Sequence, residues 1–374
     1  MIYLDYAANT PASEAVLHRF IECEQAYPMN PNSNNLLAKE GKQRLEQAKE
    51  QIAEALAVQP QELIFTSSGT ESNNLAIKGI AKEYGARKKH IITSFLEHSS
   101  VLGPIGALEK DGYDIEYVEI NNEGQVDIAH LKELLREDTL MVALCQVDSE
   151  VGIVQDIESI GQVIKENSSA LFHVDGTQAV GKLFQSLKYV DSYTFAGHKI
   201  YGLNGSACLV LKENVMIEPL HHGGLSISPY RSGTPSLGLI DSLACALSEM
   251  NQKMKEQYQY VQALNKALRS FFNTFDCIRI NSTNQSVPFI LNITIKGIQA
   301  ESVKDQLSQH NIYVSTKSAC SAPLSPSRAV FALTKDKKGA RSTLRISLSH
   351  WTTKSELEQF QSAFKRIVSE GHKE

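Results

Sequence analysis

Lys199 sits in the segment FAGHKIYG, directly after a run that reads as a β-strand, and Gly197 and Gly202 permit a tight turn around it. Asp175 ends an earlier run of the same kind, LFHVD. A lysine amine can bond covalently to an aldehyde, and a carboxylate beside it can hold the proton of a pyridinium ring. A pair at neighbouring strand ends is what a pyridoxal-phosphate (PLP) site needs. Each residue also has a plain structural reading, Lys199 as a surface lysine and Asp175 as a helix cap.

Other segments supply further parts of such a site. In FTSSGTESNNLAI a strand gives way to a Ser/Gly/Thr turn and then a helix. Backbone N–H groups at a helix start favour a phosphate, with Gly69 and Thr70 as the candidate contacts and a simple capping motif as the alternative. His98, in the turn EHSS after the strand HIITSF, is placed to stack on a cofactor ring or shuttle protons, or is a loop histidine. His198, beside the lysine, is a candidate phosphate contact. Arg345 lies within the strand TLRISL, where arginine is unusual. A substrate carboxylate is its natural bidentate partner, and an outward-facing strand arginine is the alternative. Among the cysteines, Cys320 has the most informative surroundings, STKSACSAPLSPS, a run of small residues, hydroxyls and prolines. That composition reads as an exposed loop where a thiol can reach a ligand and react. Cys145 and Cys208 fall in apolar strands and read as buried and inert; Cys23 and Cys245 fall in helical patterns, and Cys277 near a strand start.

These residues must be held by an α/β frame. From about Glu62 to Val210, the strands LIFTSS, HIITSF, DIEYVEI, TLMVALCQV, ALFHVD and SYTFAG alternate with helices expected over Thr70–Tyr84, Ser99–Lys110, Ile128–Arg136 and Ile157–Glu166. Near-continuous apolar strands in such alternation argue for a mostly parallel sheet covered on both faces. Ligands bind such sheets beyond the carboxyl ends of the strands. Past Gly233 the character changes. A long helical connection is expected over about Leu237–Phe272, followed by VPFILNITI, a helix near Glu301–His310, the Cys320 loop, the strand STLRISL and a final helix from Lys354. That reads as a smaller α+β domain, and 374 residues are comfortable for two domains.

Composition narrows the function classes. Hydrophobic residues make up 42% and charged residues 21%, ordinary for a soluble globular protein, and the net charge is −5. That charge argues against a broad nucleic-acid or anionic-membrane surface, so neither a direct nucleic-acid partner nor a membrane is expected. No apolar run is long enough to span a bilayer, and the opening MIYLDYAANTP has neither a basic region nor a long apolar stretch, so no signal peptide is expected. The six cysteines form no CxxC pair, which argues against a zinc or iron–sulfur site and for free thiols in a cytoplasmic protein.

The ordered segments YLDYAANTP, FTSSGTESNNLAIKG, EHSSV, VQDI, HVDGTQAVGK, GHKIYG, RSGT, SACS and LRISL resemble cysteine desulfurases of the NifS/IscS type, in the class V aminotransferase group of fold-type-I PLP enzymes. The resemblance runs almost end to end. It implies a large PLP-binding domain over residues 14–250 and a small domain of residues 1–13 plus 251–374 carrying the Cys320 loop. It also implies roles. Lys199 binds the cofactor covalently and moves protons, Asp175 faces the pyridine nitrogen, and Gln178 contacts the phenolic oxygen, with Ser149 in the place of a residue that helps it. His98 stacks over the ring, Thr70 and His198 bind phosphate, and Arg345 holds the carboxylate of L-cysteine. Thr234, in RSGT with Arg231, reaches the phosphate of a neighbouring subunit, which implies a homodimer with shared sites. Cys320 accepts sulfur as a persulfide, leaving L-alanine. A sulfur-acceptor protein then takes the sulfur, whether an iron–sulfur scaffold, a tRNA-thiolating enzyme or a small sulfur carrier.

The sequence departs from the family pattern in places. The usual Asn-Asn-Glu-x-Gly reads Asp148-Ser149-Glu150-Val151-Gly152, Ala196 replaces a phosphate-binding serine, and GGLSISPY replaces a glycine-rich segment with a glutamate. These changes bear on cofactor affinity and rate more than on reaction type, and suggest a divergent paralogue. From the short stretch after the final helix, docking of an iron–sulfur scaffold through a long C-terminal extension is not expected. Two other readings stay open on the sequence: another PLP reaction on a small amino acid, such as transamination or selenocysteine cleavage, and a non-catalytic PLP-binding protein that serves a partner.

Overall fold

The computed structural model describes residues 1–184, 186–224, 226–316 and 325–371. The chain opens with β1 (Ile2–Tyr3) and two amphipathic helices, α1 (Glu14–Ala26) and α2 (Leu36–Leu56). Strands and helices then alternate: β2 (Leu63–Thr66), α3 (Gly69–Tyr84), β3 (His90–Thr93), α4 (Ser99–Lys110), β4 (Asp114–Tyr117), α5 (Ile128–Leu134), β5 (Thr139–Cys145), α6 (Ile157–Asn167), β6 (Leu171–Asp175), β7 (Ser192–Ala196) and β8 (Ala207–Leu211). These strands form one seven-stranded sheet in the order β2-β8-β7-β6-β5-β3-β4. Pairing is parallel from β7 through β4, while β8 runs antiparallel to both β7 and β2. Two reversals restore the direction, so β2 points the same way as β3, β5, β6 and β7, and their carboxyl ends share one edge.

Successive residues of a strand face opposite sides of the sheet. Ile92, Val142 and Leu144 pack on one side with α2, α6 and α7 residues such as Ile52, Ile160 and Leu247. Ile91, Met141 and Ala143 pack on the other with Leu75, Ile80, Val101 and Ile105 from α3 and α4. Burial on both faces explains the near-continuous apolar strands.

The expected single helical connection is two helices, α7 (Leu237–Gln252) and α8 (Met254–Phe272), separated at Lys253. The reason lies in their partners. Leu243, Leu247 and Met250 of α7 join the core of the large sheet, whereas Val261, Leu264 and Leu268 of α8 join a second core. The chain must turn between two apolar targets, although no glycine or proline marks the place. The helix expected over Ile128–Arg136 also stops early, at Leu134, where Leu135 is extended.

The second core draws on β9 (Ile278–Ile280), β10 (Ile290–Ile295), α9 (Ala300–Gln309), β11 (Ile312–Tyr313), β12 (Thr343–Ser347) and α11 (Lys354–Gly371), while α10 (Arg328–Thr334) packs Ala329 and Val330 in a separate small cluster with Leu96, Cys145, Val151 and Ile153. Strands β12, β10 and β9 make an antiparallel sheet, and β11 pairs in parallel with β1. Ile2, Leu4 and Ala7 therefore pack with residues such as Phe289, Leu344 and Phe360, bringing the two ends of the chain together.

Candidate active site

An open cleft of about 870 Å³, including the solvent space at its mouth, lies at the carboxyl edge of the large sheet, lined by Gly69, Thr70, His98, Cys145, Ser149, Asp175, Gln178, His198, Lys199 and Arg345, among others. Of the residues expected from sequence to form a site, it gathers all but two. Thr234 is exposed and does not line the cleft, and Cys320 lies outside the described residues.

Asp175 is buried at the end of β6. Its Oδ1 accepts the Thr177 N–H at 3.0 Å and its Oδ2 accepts from Asn73 Nδ2 at 2.9 Å. The side chain caps the turn that follows β6, where no helix begins, and it also faces the cleft. Asn73, on the first turns of α3, also donates to Ser100 Oγ at 2.8 Å, and its own carbonyl meets His173 Nε2 at 3.1 Å. Both Asp175 oxygens face donors, as an ionised carboxylate requires.

Lys199 follows β7 on a single 3₁₀ turn. Its Nζ donates to the carbonyls of Ala7 and Ala8, at 2.6 and 2.7 Å. The opening segment of the chain thus closes one wall of the cleft. Sequence reasoning missed this contact, since nothing in the residue types links positions so far apart. His198 is half-buried, and burial, then the charge of Lys199, pushes its pKa down to about 4, so its imidazole is neutral at physiological pH.

Gly69 and Thr70 open α3, where Ser68 caps the helix by accepting the Glu71 N–H. The first N–H groups of an α-helix have no intrahelical acceptor and carry a positive partial charge. A Cβ on Gly69 would meet Thr177 Oγ1 at 3.4 Å, an ordinary van der Waals contact with another residue of the cleft. His98 caps α4, its Nδ1 accepting the Ser100 N–H at 3.1 Å. In the neutral ring that arrangement leaves the proton on Nε2. Burial pushes the His98 pKa down, favouring the neutral form.

Arg345 reaches the cleft from β12 of the second core and is 1% exposed. It therefore faces inward. Nη1 donates to the Ser149 carbonyl and Nη2 to Asp5 Oδ1, both at 2.8 Å. Its buried Nε has no partner among the described residues. Asp5, missed from the sequence as a site residue, lies in the YLDYAANTP segment, so the motif pointed to it even though its partner could not be read. Cys145 is buried as expected, and burial pushes its thiol pKa well above the usual range; it nevertheless lines the cleft.

The donor set fits PLP. An amine stands at one point, an acceptor-only carboxylate at the end of the adjacent strand, helix N–H groups suited to a phosphate beside them, and a neutral imidazole above α4. Arg345 supplies the cation a substrate carboxylate requires. Among the described residues no cluster of side chains suits a metal ion.

The family model for aminotransferase class-V matches residues 2–360. The cysteine desulfurase IscS of Pseudoalteromonas translucida is 35% identical over 381 residues, covering 98% of this chain and 92% of that protein. Among solved structures, a NifS-like protein superposes with a TM-score of 0.92 at 31% identity, covering 98% of this chain and 99% of that one. The structure described as SspA in complex with cysteine gives 0.83, also at 31% identity, covering 94% and 100%.

Proposed function

For this chain, which belongs to the aminotransferase class-V family, we propose the activity of a PLP-dependent cysteine desulfurase that converts L-cysteine to L-alanine and loads the sulfur on Cys320. The observation that carries the reading is the convergence of Lys199, Asp175, the start of α3 and Arg345 on one cleft. Bound PLP would supply an electron sink for bond changes at the substrate's α and β carbons. The protein's own groups do the rest. Lys199 holds the cofactor and carries protons. Asp175 keeps a positive charge on the ring nitrogen, and Gln178 meets the phenolic oxygen. Gly69 and Thr70 at the helix start, with His198, hold the phosphate. His98, with its proton on Nε2, would face the ring, and Ser149 lines the same cleft.

Arg345, the inward-facing cation of the cleft, holds the cysteine carboxylate. The Cys320 thiolate attacks the substrate sulfur; the new S–S bond forms as the carbon–sulfur bond breaks, and its electron pair stays with the carbon, which takes a proton to become the alanine methyl group. Thiolate is the reactive form, so a base must take the Cys320 proton first. The exposed position of Thr234 supports a role at a partner's site in a homodimer. An iron–sulfur scaffold, a tRNA-thiolating enzyme or a small sulfur carrier would then take the sulfur. The division into residues 14–250 and residues 1–13 plus 251–374 is also proposed, supported by the separate cores. No helix among the described residues is long and apolar enough to cross a membrane.

The test is direct. Purified protein with PLP should show an absorbance band that borohydride fixes to Lys199. It should then release sulfide with a reductant, and alanine, from L-cysteine, and peptide mass spectrometry should find one added sulfur on Cys320. Alanine-free turnover, or the sulfur on Cys23 or Cys277, would overturn the assignment.

A further inference from the structure

Lys182 lies on the turn after Asp175, one helical turn beyond Gln178, and is 7% exposed. Its Nζ stands 5.9 Å from the centre of the Phe289 ring. Burial, then the nearby charges of Lys199 and Arg345, pushes its pKa down to about 7. A buried amine beside two cations is costly to keep, so its hydrogen bond bears scrutiny.

Lys182 Nζ donates to Gln178 Oε1 at 2.9 Å. Gln178 Nε2 donates in turn to the Ala7 carbonyl at 2.8 Å, and the same carbonyl accepts from Lys199 Nζ at 2.6 Å. An ammonium only donates and a carbonyl only accepts. Turning the Gln178 amide over would set N–H against N–H at one end and oxygen against oxygen at the other. The neutral amine keeps two N–H groups to offer, and the Ala7 carbonyl holds its end whatever the protonation of Lys182. The amide carries two N–H groups, and one is engaged with Ala7. The second remains for the cleft that Gln178 lines.

We infer that Lys182 is a positioning residue, which locks the Gln178 amide so that an N–H, and not the carbonyl, faces the phenolic oxygen of PLP. This rests on the cofactor reading above. Donation into Oε1 also polarises the amide and strengthens its N–H groups as donors. Lys182 thus acts through Gln178, without touching the cofactor.

The dissociation constant for PLP, measured by absorbance titration of PLP-stripped protein, tests this in a double-mutant cycle. Lys182→Met should weaken PLP about tenfold in the native background, the scale of one well-placed hydrogen bond, but less than about twofold once Gln178 is alanine. Lys182→Arg, which keeps a donor-only head, should stay within about threefold of the native value. A loss of the same size in both backgrounds, or no loss in either, overturns the inference, because a merely structural lysine would not depend on Gln178. Thermal unfolding of the cofactor-free proteins checks that each is folded. If Lys182→Met does not fold, Lys182→Leu replaces it in the same cycle and the same ratio decides. Native protein that binds no PLP would instead overturn the cofactor reading, and it is seen before any substitution is made.

Discussion

Asp175 and Lys199 stand at the ends of adjacent parallel strands, β6 and β7, of one continuous hydrogen-bonded sheet, whereas Arg345 enters the same cleft from β12 of a separate antiparallel sheet. The first pair is spaced by strand registry, since Asp175 aligns with Thr194 and Lys199 follows shortly after. Arg345 is placed by contacts between sheets, to Asp5 and to the Ser149 carbonyl. The difference teaches where each kind of error would show. A change on the strand-end side leaves the frame intact and removes chemistry. A change on the Arg345 side disturbs how substrate is held and how the two sheets meet.

The comparison can be broken at several points. The largest effect is expected from Lys199→Ala on the strand-end side, which should reduce sulfide release from L-cysteine to background and remove the borohydride-fixed cofactor; normal turnover would end the assignment. Cys320→Ser should keep the cofactor absorbance and bind L-cysteine, yet lower sulfide release on the order of 10²-fold or more, because a positioned nucleophile is lost. Steady-state sulfide assays beside absorbance spectra check both halves of that statement. Asp175→Ala should lower kcat by about 10²-fold with a smaller change in KM, as for loss of an interaction made mainly in the transition state.

On the other side of the cleft the signature should invert. Arg345→Lys keeps the charge but loses the planar fork, and should raise KM for L-cysteine about tenfold while leaving kcat within a few-fold. If kcat falls as far as in Asp175→Ala, the two sides are not separable and the contrast fails. The smallest effect on activity is expected from Cys208→Ser on β8, remote from the cleft and fully buried. It should cost about 1–3 kcal/mol of stability by burying a hydroxyl, with kcat/KM unchanged. Thermal unfolding and activity measured on the same preparation decide that.

Much of the strand-end side was legible in the sequence. Strands β2, β3, β5, β6 and β7 follow short runs rich in apolar residues, and the candidate residues come at or soon after their ends. That rule needs only local composition. The break at Lys253 was not legible, since the apolar periodicity continues and only the change of packing partner divides α7 from α8. The antiparallel β8 was also not singled out, because ACLVL reads like any buried strand and direction is set by pairing. Nor could the Asp5–Arg345 ion pair be seen, although both lie in recognisable motifs.

By itself, the sequence determined which chemical groups this protein offers and the α/β frame that carries them, because residue type and hydrophobic period are local properties. It placed Lys199, Asp175, Gly69 and His98 at strand ends, and strand ends of a largely parallel sheet share an edge. Only the tertiary structure decided how the rest of the chain closes on that edge. It brought Ala7 and Ala8 onto Lys199, paired Asp5 with Arg345, and stood Lys182 behind Gln178 to set the direction of its amide. Those contacts depend on burial and on partners far away in the chain: hydrogen-bonding groups removed from water must find whichever donor or acceptor the packing brings to them.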